Sequence, residues 1–333
     1  MPGIAVDAMS GDNDPQAAVT ATLKMAREKP DFIFQLVGKE AVIAPLLDSP
    51  PPNIHIVEAS EVVGMDEPPT HAIRRRDSSM RRAVKLVATG DADAVVSGGN
   101  TGALLGVGHT VIRRLDGVER PVIAAFVPNP NIPGGCCMLD LGANVYCTAA
   151  MLQQFARMGA ALVRALRGVA KPRVGLLNVG EESFKGREEV REAAALLQDE
   201  PDMELVGNVE GFDLYRGDCD VIVCDGFTGN VALKVSEGLV DMMSGMIKKA
   251  FNRNLNCKLR GLIAMPVLNT LRQEFDSRHY NGACVLGLRG IVVKSHGNAD
   301  ATAFYSALNY AFRASQEDLA GIIAAMPQNG GVG

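Results

Sequence analysis

Five short stretches of the chain combine glycine with small polar residues in the way an anion site requires. They are Asp7-Ala8-Met9-Ser10-Gly11-Asp12, Ser97-Gly98-Gly99-Asn100-Thr101-Gly102, Asp140-Leu141-Gly142-Ala143-Asn144, Asn178-Val179-Gly180-Glu181-Glu182 with Lys185-Gly186, and Asp225-Gly226-Phe227-Thr228-Gly229-Asn230. Glycine lets backbone N–H groups approach a ligand, and a helix that starts there presents unpaired donors and a partial positive charge. Phosphate is the simplest ligand for such a set. One loop of this kind more often only turns the chain or caps a helix. Five in one chain point to a site. Two of them are near copies: "DADAVVSGGNTGALL" (91–105) aligns without a gap on "DCDVIVCDGFTGNVA" (218–232), both reading D-x-D-x-[VI]-V-x-x-G-x-T-G.

Few side chains near these loops could do chemistry. Lys185, in "NVGEESFKGREEV", is placed to act as a point charge for phosphate, or is a solvated lysine at a helix start. Asn100 and Asn230 offer amide donors suited to an oxyanion, or are ordinary caps. His296, in "VVKSHGNAD", ends a strand, where a lone histidine more often closes a turn than acts as an acid. There is no G-x-S-x-G elbow, no H-E-x-x-H, no G-x-G-x-x-G and no P-loop signature. With no enzyme nucleophile evident, the bound anion itself is the expected nucleophile.

Short apolar strands separated by helical patterns must position these groups. The strand candidates are "GIAVDA", "FIFQLVG", "NIHIVE", "DAVVSG", "PVIAAFV", "CCMLDLG", "RVGLLNVG", "MELVGNV", "CDVIVCDG" and "GIVVKSHG", with one more near Cys284 to Gly287. Alternation of strand and helix predicts a three-layer α/β/α fold with a largely parallel sheet, covered on both faces. Ligands then bind at carboxyl ends of strands, so the five loops are expected to converge. No linker divides the chain, which reads as a single α/β domain over 1–333 with a frayed tail at 326–333. Residues 238–276 lack a strand candidate and read as a protruding helical hairpin. In it Lys248, Lys249, Arg253, Lys258 and Arg260 flank Leu262, Ile263, Met265, Val267 and Leu268. That pattern suits an anionic membrane surface or a subunit contact.

Bulk properties set the limits. Of 333 residues 47% are apolar and 21% charged, an ordinary globular balance. A formal charge of −5 and no tryptophan exclude a nucleic-acid coat or a base-stacking platform. Seven cysteines, an odd number without C-x-x-C, read as buried thiols of a reducing compartment. The first residues lack the pattern of a secretory signal, and no run of about 18 apolar residues predicts a membrane span.

Together "VDAMSGDNDP", "RRRDSSM", "VVSGGNTGALL", "LDLGANVYC", "VGLLNVGEESFKG", "VGNVEGFDL", "VCDGFTGNVALKVSEG" and "LGLRGIVVKSHGNAD" resemble, in order and spacing, the phosphate acyltransferase PlsX family of bacterial phospholipid synthesis. The resemblance runs over about residues 3 to 320. It implies transfer of a long-chain fatty acyl group from acyl carrier protein (ACP) to inorganic phosphate, giving acyl-phosphate for glycerol-3-phosphate acylation. It also implies a fold similar to the isocitrate and isopropylmalate dehydrogenases and the phosphotransacetylases, a homodimer, no cofactor, and a cytoplasmic enzyme peripherally associated with the inner face of the membrane. Hand-off of product to a glycerol-3-phosphate acyltransferase follows. Lys185 and Asn230 are then the expected catalytic residues. Phosphate and substrate fall to Asp7, Ser10, Gly11, Ser97, Gly99, Asn100, Thr101, Gly102, Asn144, Asp225, Gly226, Thr228, Gly229 and His296. Arg253, Lys258, Arg260, Leu262 and Ile263 are expected to meet membrane or ACP. Ser10, Gly98 and Asn281 depart from the family pattern by small changes at turns. The arginines 74, 75, 76, 81 and 82 suit docking of acidic ACP or orienting phosphate, or are solvated helix charges. Rival readings are a phosphotransacetylase-like enzyme using acyl-coenzyme A, a metal- and NAD-dependent dehydrogenase of the same fold, and a silent scaffold.

Overall fold

A computed structural model of the chain describes residues 2–12 and 15–326, with the backbone alone for Leu262, 267–275 and Ser277. Eleven strands form one sheet: β1 (Gly3–Asp7), β2 (Ile33–Gly38), β3 (Ile54–Glu58), β4 (Ala94–Ser97), β5 (Val122–Val127), β6 (Cys136–Leu139), β7 (Arg173–Leu177), β8 (Glu204–Val209), β9 (Val221–Val223), β10 (Ala283–Leu286) and β11 (Ile291–Lys294). The helices are α1 (Gln16–Glu28), α2 (Glu40–Ile43), α3 (Pro69–Ala72), α4 (Ser79–Thr89), α5 (Thr101–Val111) and α6 (Ala149–Arg167), then α7 (Glu188–Leu197), α8 (Gly226–Phe251), α9 (Leu255–Phe275), α10 (Ala301–Gln316) and α11 (Leu319–Ala324).

The strand order is β3-β2-β1-β4-β11-β10-β5-β6-β9-β7-β8. Pairing is parallel from β3 to β11 and again from β6 to β8. Between those blocks, β11–β10, β10–β5 and β5–β6 are antiparallel. Three reversals are an odd number, so the second block runs opposite to the first. The cause is local. Residues 128–135 and 287–290 are too few for the dozen or so that a parallel crossover needs, so each closes an antiparallel hairpin.

Alternate side chains of each strand fill two faces. One face is covered by a single continuous core in which Ile4, Val6, Ala94, Val122, Leu139 and Val223 meet α1, α6 and α10. The other face carries two separate cores. Ala5, Val95 and Val292 pack under α4 and α5, whereas Ile123, Met138 and Ile222 pack under Ala232 and Leu233 of α8. Leu105 of α5 touches both cores. The cores divide over the central antiparallel strands, with α5 on one side and α8 on the other.

The helical region begins earlier than its sequence suggested. One unbroken helix, α8, runs from Gly226, not from residue 238, and turns through 252–254 into α9. Gly238 sits in open surroundings. A single exposed helical glycine costs about 1 kcal/mol, too little to end a helix already anchored at its start. Asn254 caps α9 by accepting from the Cys257 N–H at 2.8 Å. No helix among the described residues is long and apolar enough to cross a membrane. Of the expected frayed tail at 326–333, residues 327–333 lie outside the described residues.

Candidate functional site

The five loops gather in two groups, because the two blocks of strands send their carboxyl ends to opposite edges of the sheet. The first group joins the ends of β1, β4 and β11. Asp7 is fully buried, and its carboxylate accepts from Ser97 Oγ at 2.7 Å, whose oxygen accepts from the Gly99 N–H at 3.1 Å. Burial raises the Asp7 pKa, against the opposing effect of the hydroxyls of Ser10, Ser79 and Ser97. Of the three only Ser97 reaches hydrogen-bonding geometry; Asp7 Oδ1, Ser10 Oγ and Ser79 Oγ are buried without a partner. Backbones meet closely here. The Asp12 N–H donates to the Gly297 carbonyl at 2.8 Å and the Ser295 N–H to the Ser97 carbonyl at 2.9 Å. Gly11 adopts φ +136°, and a Cβ on it would lie 3.0 Å from the Gly297 carbonyl oxygen.

Asn100 caps α5, its side-chain oxygen accepting from the Ala103 N–H at 2.9 Å. Its amide group donates to the Met65 carbonyl. Thr101 is exposed, Gly102 half-buried, and their N–H groups have no acceptor among the described residues.

The second group joins the ends of β6, β7 and β9. Asp140 is buried and fully satisfied, accepting from the N–H groups of Ile123, Gly142, Ala143 and Asn144 and from the Asn144 side chain. It shapes the loop from within. The Asn144 carbonyl in turn accepts from the Gly226 N–H at 2.7 Å. Asp225, also buried, caps α8 by accepting from the Thr228 N–H at 2.9 Å and Oγ1 at 2.8 Å, and it forms an ion pair with Arg187. A Cβ on Gly226 would lie 2.7 Å from the Asn144 carbonyl oxygen, and one on Gly229 would overlap that of Asp140. Lys185 is half-buried and paired with Glu182 at 2.8 Å, which raises its pKa. Asn230 is exposed at the start of the second turn of α8, beside Gly142.

The helix α8 links the two edges. It runs back across the open face, and seven residues beyond Asn230, about 10 Å along the axis, Glu237 reaches the first group. Glu237 Oε1 lies 3.8 Å from His296 Nε2, and its other oxygen is 2.8 Å from Lys234 Nζ. Partial burial lowers the His296 pKa, with Lys234 and Lys294 acting in the same sense against Glu237.

Sequence inspection missed Lys294, Lys234, Glu237 and Arg187. Lys294 ends β11, and its ammonium donates to the carbonyls of Gly98, at 3.3 Å, and Ser295. Burial lowers its pKa to about 8, with Lys234 adding to the fall while Asp12 and Asp7 oppose it. It lies two residues before His296 in the same motif, and that proximity was the available signal.

Elsewhere, three of the five clustered arginines are engaged. Arg75 pairs with Glu67 and Glu61, Arg82 with Asp77, and Arg81 donates to the Ile73 carbonyl. On the hairpin Arg253, Lys258, Arg260 and Ile263 are exposed, whereas the side chains of Leu262, Val267 and Leu268 lie outside the described residues.

Comparison with known proteins adds what geometry alone does not supply. The family described as "Fatty acid synthesis protein" matches residues 3–321. A phosphate acyltransferase of Halorhodospira halophila is 45% identical, covering 97% of this chain and 95% of that protein. One from Bordetella bronchiseptica is 50% identical over 92% and 88%. In fold the chain is similar to a phosphotransacetylase from Streptococcus pyogenes, with a TM-score of 0.65 and 17% identity, covering 95% of this chain and 94% of that one. It is also similar to a 4-hydroxythreonine-4-phosphate dehydrogenase from Klebsiella pneumoniae, with a TM-score of 0.56 and 13% identity over 95% and 98%. The mixed sheet with two opposed blocks is thus a known architecture, and with near-complete coverage at these identities the chain belongs to the fatty acid synthesis protein family, that of the phosphate acyltransferases.

Proposed function

We propose that the chain moves a long-chain acyl group from acyl-ACP to inorganic phosphate, by direct attack of bound phosphate on the thioester. Membership of the family over nearly the whole chain carries the acyltransferase assignment, with phosphate as acceptor in fatty acid and phospholipid synthesis. In the proposed reaction a phosphate oxygen forms a bond to the carbonyl carbon, the C–S bond breaks, and the thiolate leaves and takes up a proton. No protein nucleophile is used. Catalysis then rests on positioning and on stabilising the tetrahedral oxyanion. Asn230 is the proposed oxyanion donor, and its exposure on the open side of α8 supports that role. Lys185, expected from the sequence to meet phosphate, is an alternative contact that is available only when its pair with Glu182 opens.

The hairpin serves as a contact surface in this reading. Val235, Leu239, Met242 and Met246 form one exposed apolar row along α8, and Leu255, Leu259 and Ile263 a second on α9, the last 80% exposed. Beside them lie the basic Arg253, Lys258 and Arg260, a combination suited to an anionic bilayer or to a second subunit. Homodimer formation, membrane contact and hand-off to a glycerol-3-phosphate acyltransferase are parts of this proposal.

The testing experiment is acyl-phosphate formation, trapped with hydroxylamine, from palmitoyl-ACP and inorganic phosphate, with palmitoyl- and acetyl-coenzyme A in parallel. Phosphate-dependent product from the ACP thioester is expected. Product from coenzyme A esters alone would replace ACP by coenzyme A as donor, and silence with every donor would end the proposal.

A further inference from the structure

We infer that phosphate is held at the first-group edge, between the start of α5 and the ammonium groups of Lys294 and Lys234, and not at the start of α8. The inference rests on the proposed use of phosphate as nucleophile and names the groups that would hold it.

The two helix starts differ in what already occupies them. At α8 the cap is the buried Asp225 carboxylate, paired with Arg187, and the first N–H, that of Gly226, is bonded to the Asn144 carbonyl; Thr228 and Gly229 bond their cap as Ala103 and Leu104 bond theirs at α5. A phosphate there would have to displace the Asp225 carboxylate from its bonds to the helix start and to Arg187. At α5 the cap is a neutral amide, and the N–H groups of Thr101 and Gly102 have no acceptor among the described residues. Ser10, nine-tenths buried, presents an unpartnered hydroxyl against Gly99, one residue before that cap.

The cations are arranged to match. Lys294 holds its ammonium against the Gly98 carbonyl in the same loop, and no carboxylate forms an ion pair with it among the described residues. Asp12 and Asp7 face it at longer range. Lys234 approaches from α8, through its pair with Glu237 beside His296. Carbonyl oxygens hold an ammonium in place without neutralising it, so its full charge remains available to a dianion. Depression of the Lys294 pKa is the expected state of a cation waiting for its counter-ion.

The same placement orders the reaction. Asn230, Lys234 and Glu237 stand at i, i+4 and i+7, hence on one face of α8. A thioester carbonyl lying between Asn230 and Lys234 has phosphate on one side and an amide donor on the other. Glu237 is a positioning residue, which fixes Lys234 and His296.

The test compares Lys294→Met, Lys294→Arg, Lys234→Met and Lys185→Met by the KM for phosphate, the KM for palmitoyl-ACP, and equilibrium dialysis of radiolabelled inorganic phosphate against the whole protein. A lost charge-assisted contact corresponds to on the order of tenfold to a hundredfold in phosphate affinity. That rise is expected for Lys294→Met, a smaller one for Lys234→Met, partial recovery for Lys294→Arg, and little change in the KM for palmitoyl-ACP. Lys234 is on the helix surface, so its variant folds and reports even if Lys294→Met does not. Unchanged phosphate affinity in the folded lysine variants, or a larger loss in Lys185→Met, overturns the inference while leaving the wild-type activity in place. Absence of phosphate binding and of acyl-phosphate in the wild type would instead overturn the functional proposal beneath it.

Discussion

The β4–α5 and β9–α8 connections share one sequence pattern and differ in one decisive position. Each is preceded by an aspartate that locks its strand to the next. The Gly3 N–H donates to Asp93 at 2.7 Å and the Asp93 N–H to the Gly3 carbonyl at 2.8 Å. The Arg173 N–H donates to Asp220 at 3.0 Å and the Asp220 N–H to the Arg173 carbonyl at 2.9 Å. The units then diverge. Where one has Gly98 the other has Asp225. Asp225 can cap, so α8 begins at Gly226. Gly98 has no side chain to cap with, so the cap falls two residues later, on Asn100. One copy thereby receives a buried carboxylate and becomes structural. Its twin stays open to a ligand.

The comparison can be broken most severely at its paired glycines. Gly229→Ala drives a methyl group into the Asp140 carbonyl, while Gly102→Ala meets only the edge of Pro69, 2.9 Å from the new carbon. Overpacking costs about 1–3 kcal/mol where neighbours can yield. Gly102→Ala is expected at the low end, and Gly229→Ala at or beyond the high end, in denaturant titrations. Next in size is Asn230→Ala, for which kcat falls about 10²–10³-fold with the melting temperature unchanged. Unaltered turnover removes Asn230 from the mechanism.

Asn100→Asp sharpens the contrast by giving the open copy the charge of the closed one. Aspartate still caps the helix, so stability drops by only about 1 kcal/mol for the lost bond to Met65. The KM for phosphate is expected to rise on the order of tenfold, by repulsion at the helix start.

The smallest effect is in pH. The folded Lys294 titrates at about 8, below its ordinary 10.5. Between those values the unfolded chain binds more protons, so this group makes the fold more stable as pH rises through that window. Phosphate affinity runs the other way, since the ammonium is lost: KM for phosphate should climb above pH 8, with Asp7, Asp12, Lys234, His296 and Glu237 the other titrating groups facing the site. A flat profile from pH 7 to 9 would separate Lys294 from the phosphate.

Much of this was legible in the residues. All eleven strands announce themselves as short apolar runs, and the five glycine-rich loops do end strands. Direction was not legible, because side-chain alternation along a strand is the same whichever way its neighbour runs. The short connections 128–135 and 287–290 carry two of the reversals, and the third, between β5 and β10, joins strands far apart in the sequence. The grouping of loops therefore could not be seen, nor could the chemistry of Lys294. Part of its charge environment, Lys234, comes from a helix that starts at the opposite edge.

The link that α8 makes between the two edges has a mechanical consequence. The 26 residues of α8 make a rod about 39 Å long. Its inner turns carry Asn230, Lys234 and Glu237, and its outer turns carry the exposed methionines. Rotation of the rod about its axis turns both ends together. If a bilayer or a second subunit seats against the outer apolar row, as proposed, it would set the angle at which Asn230, Lys234 and Glu237 face the first group, so the proposed reaction would be tuned from outside its own site.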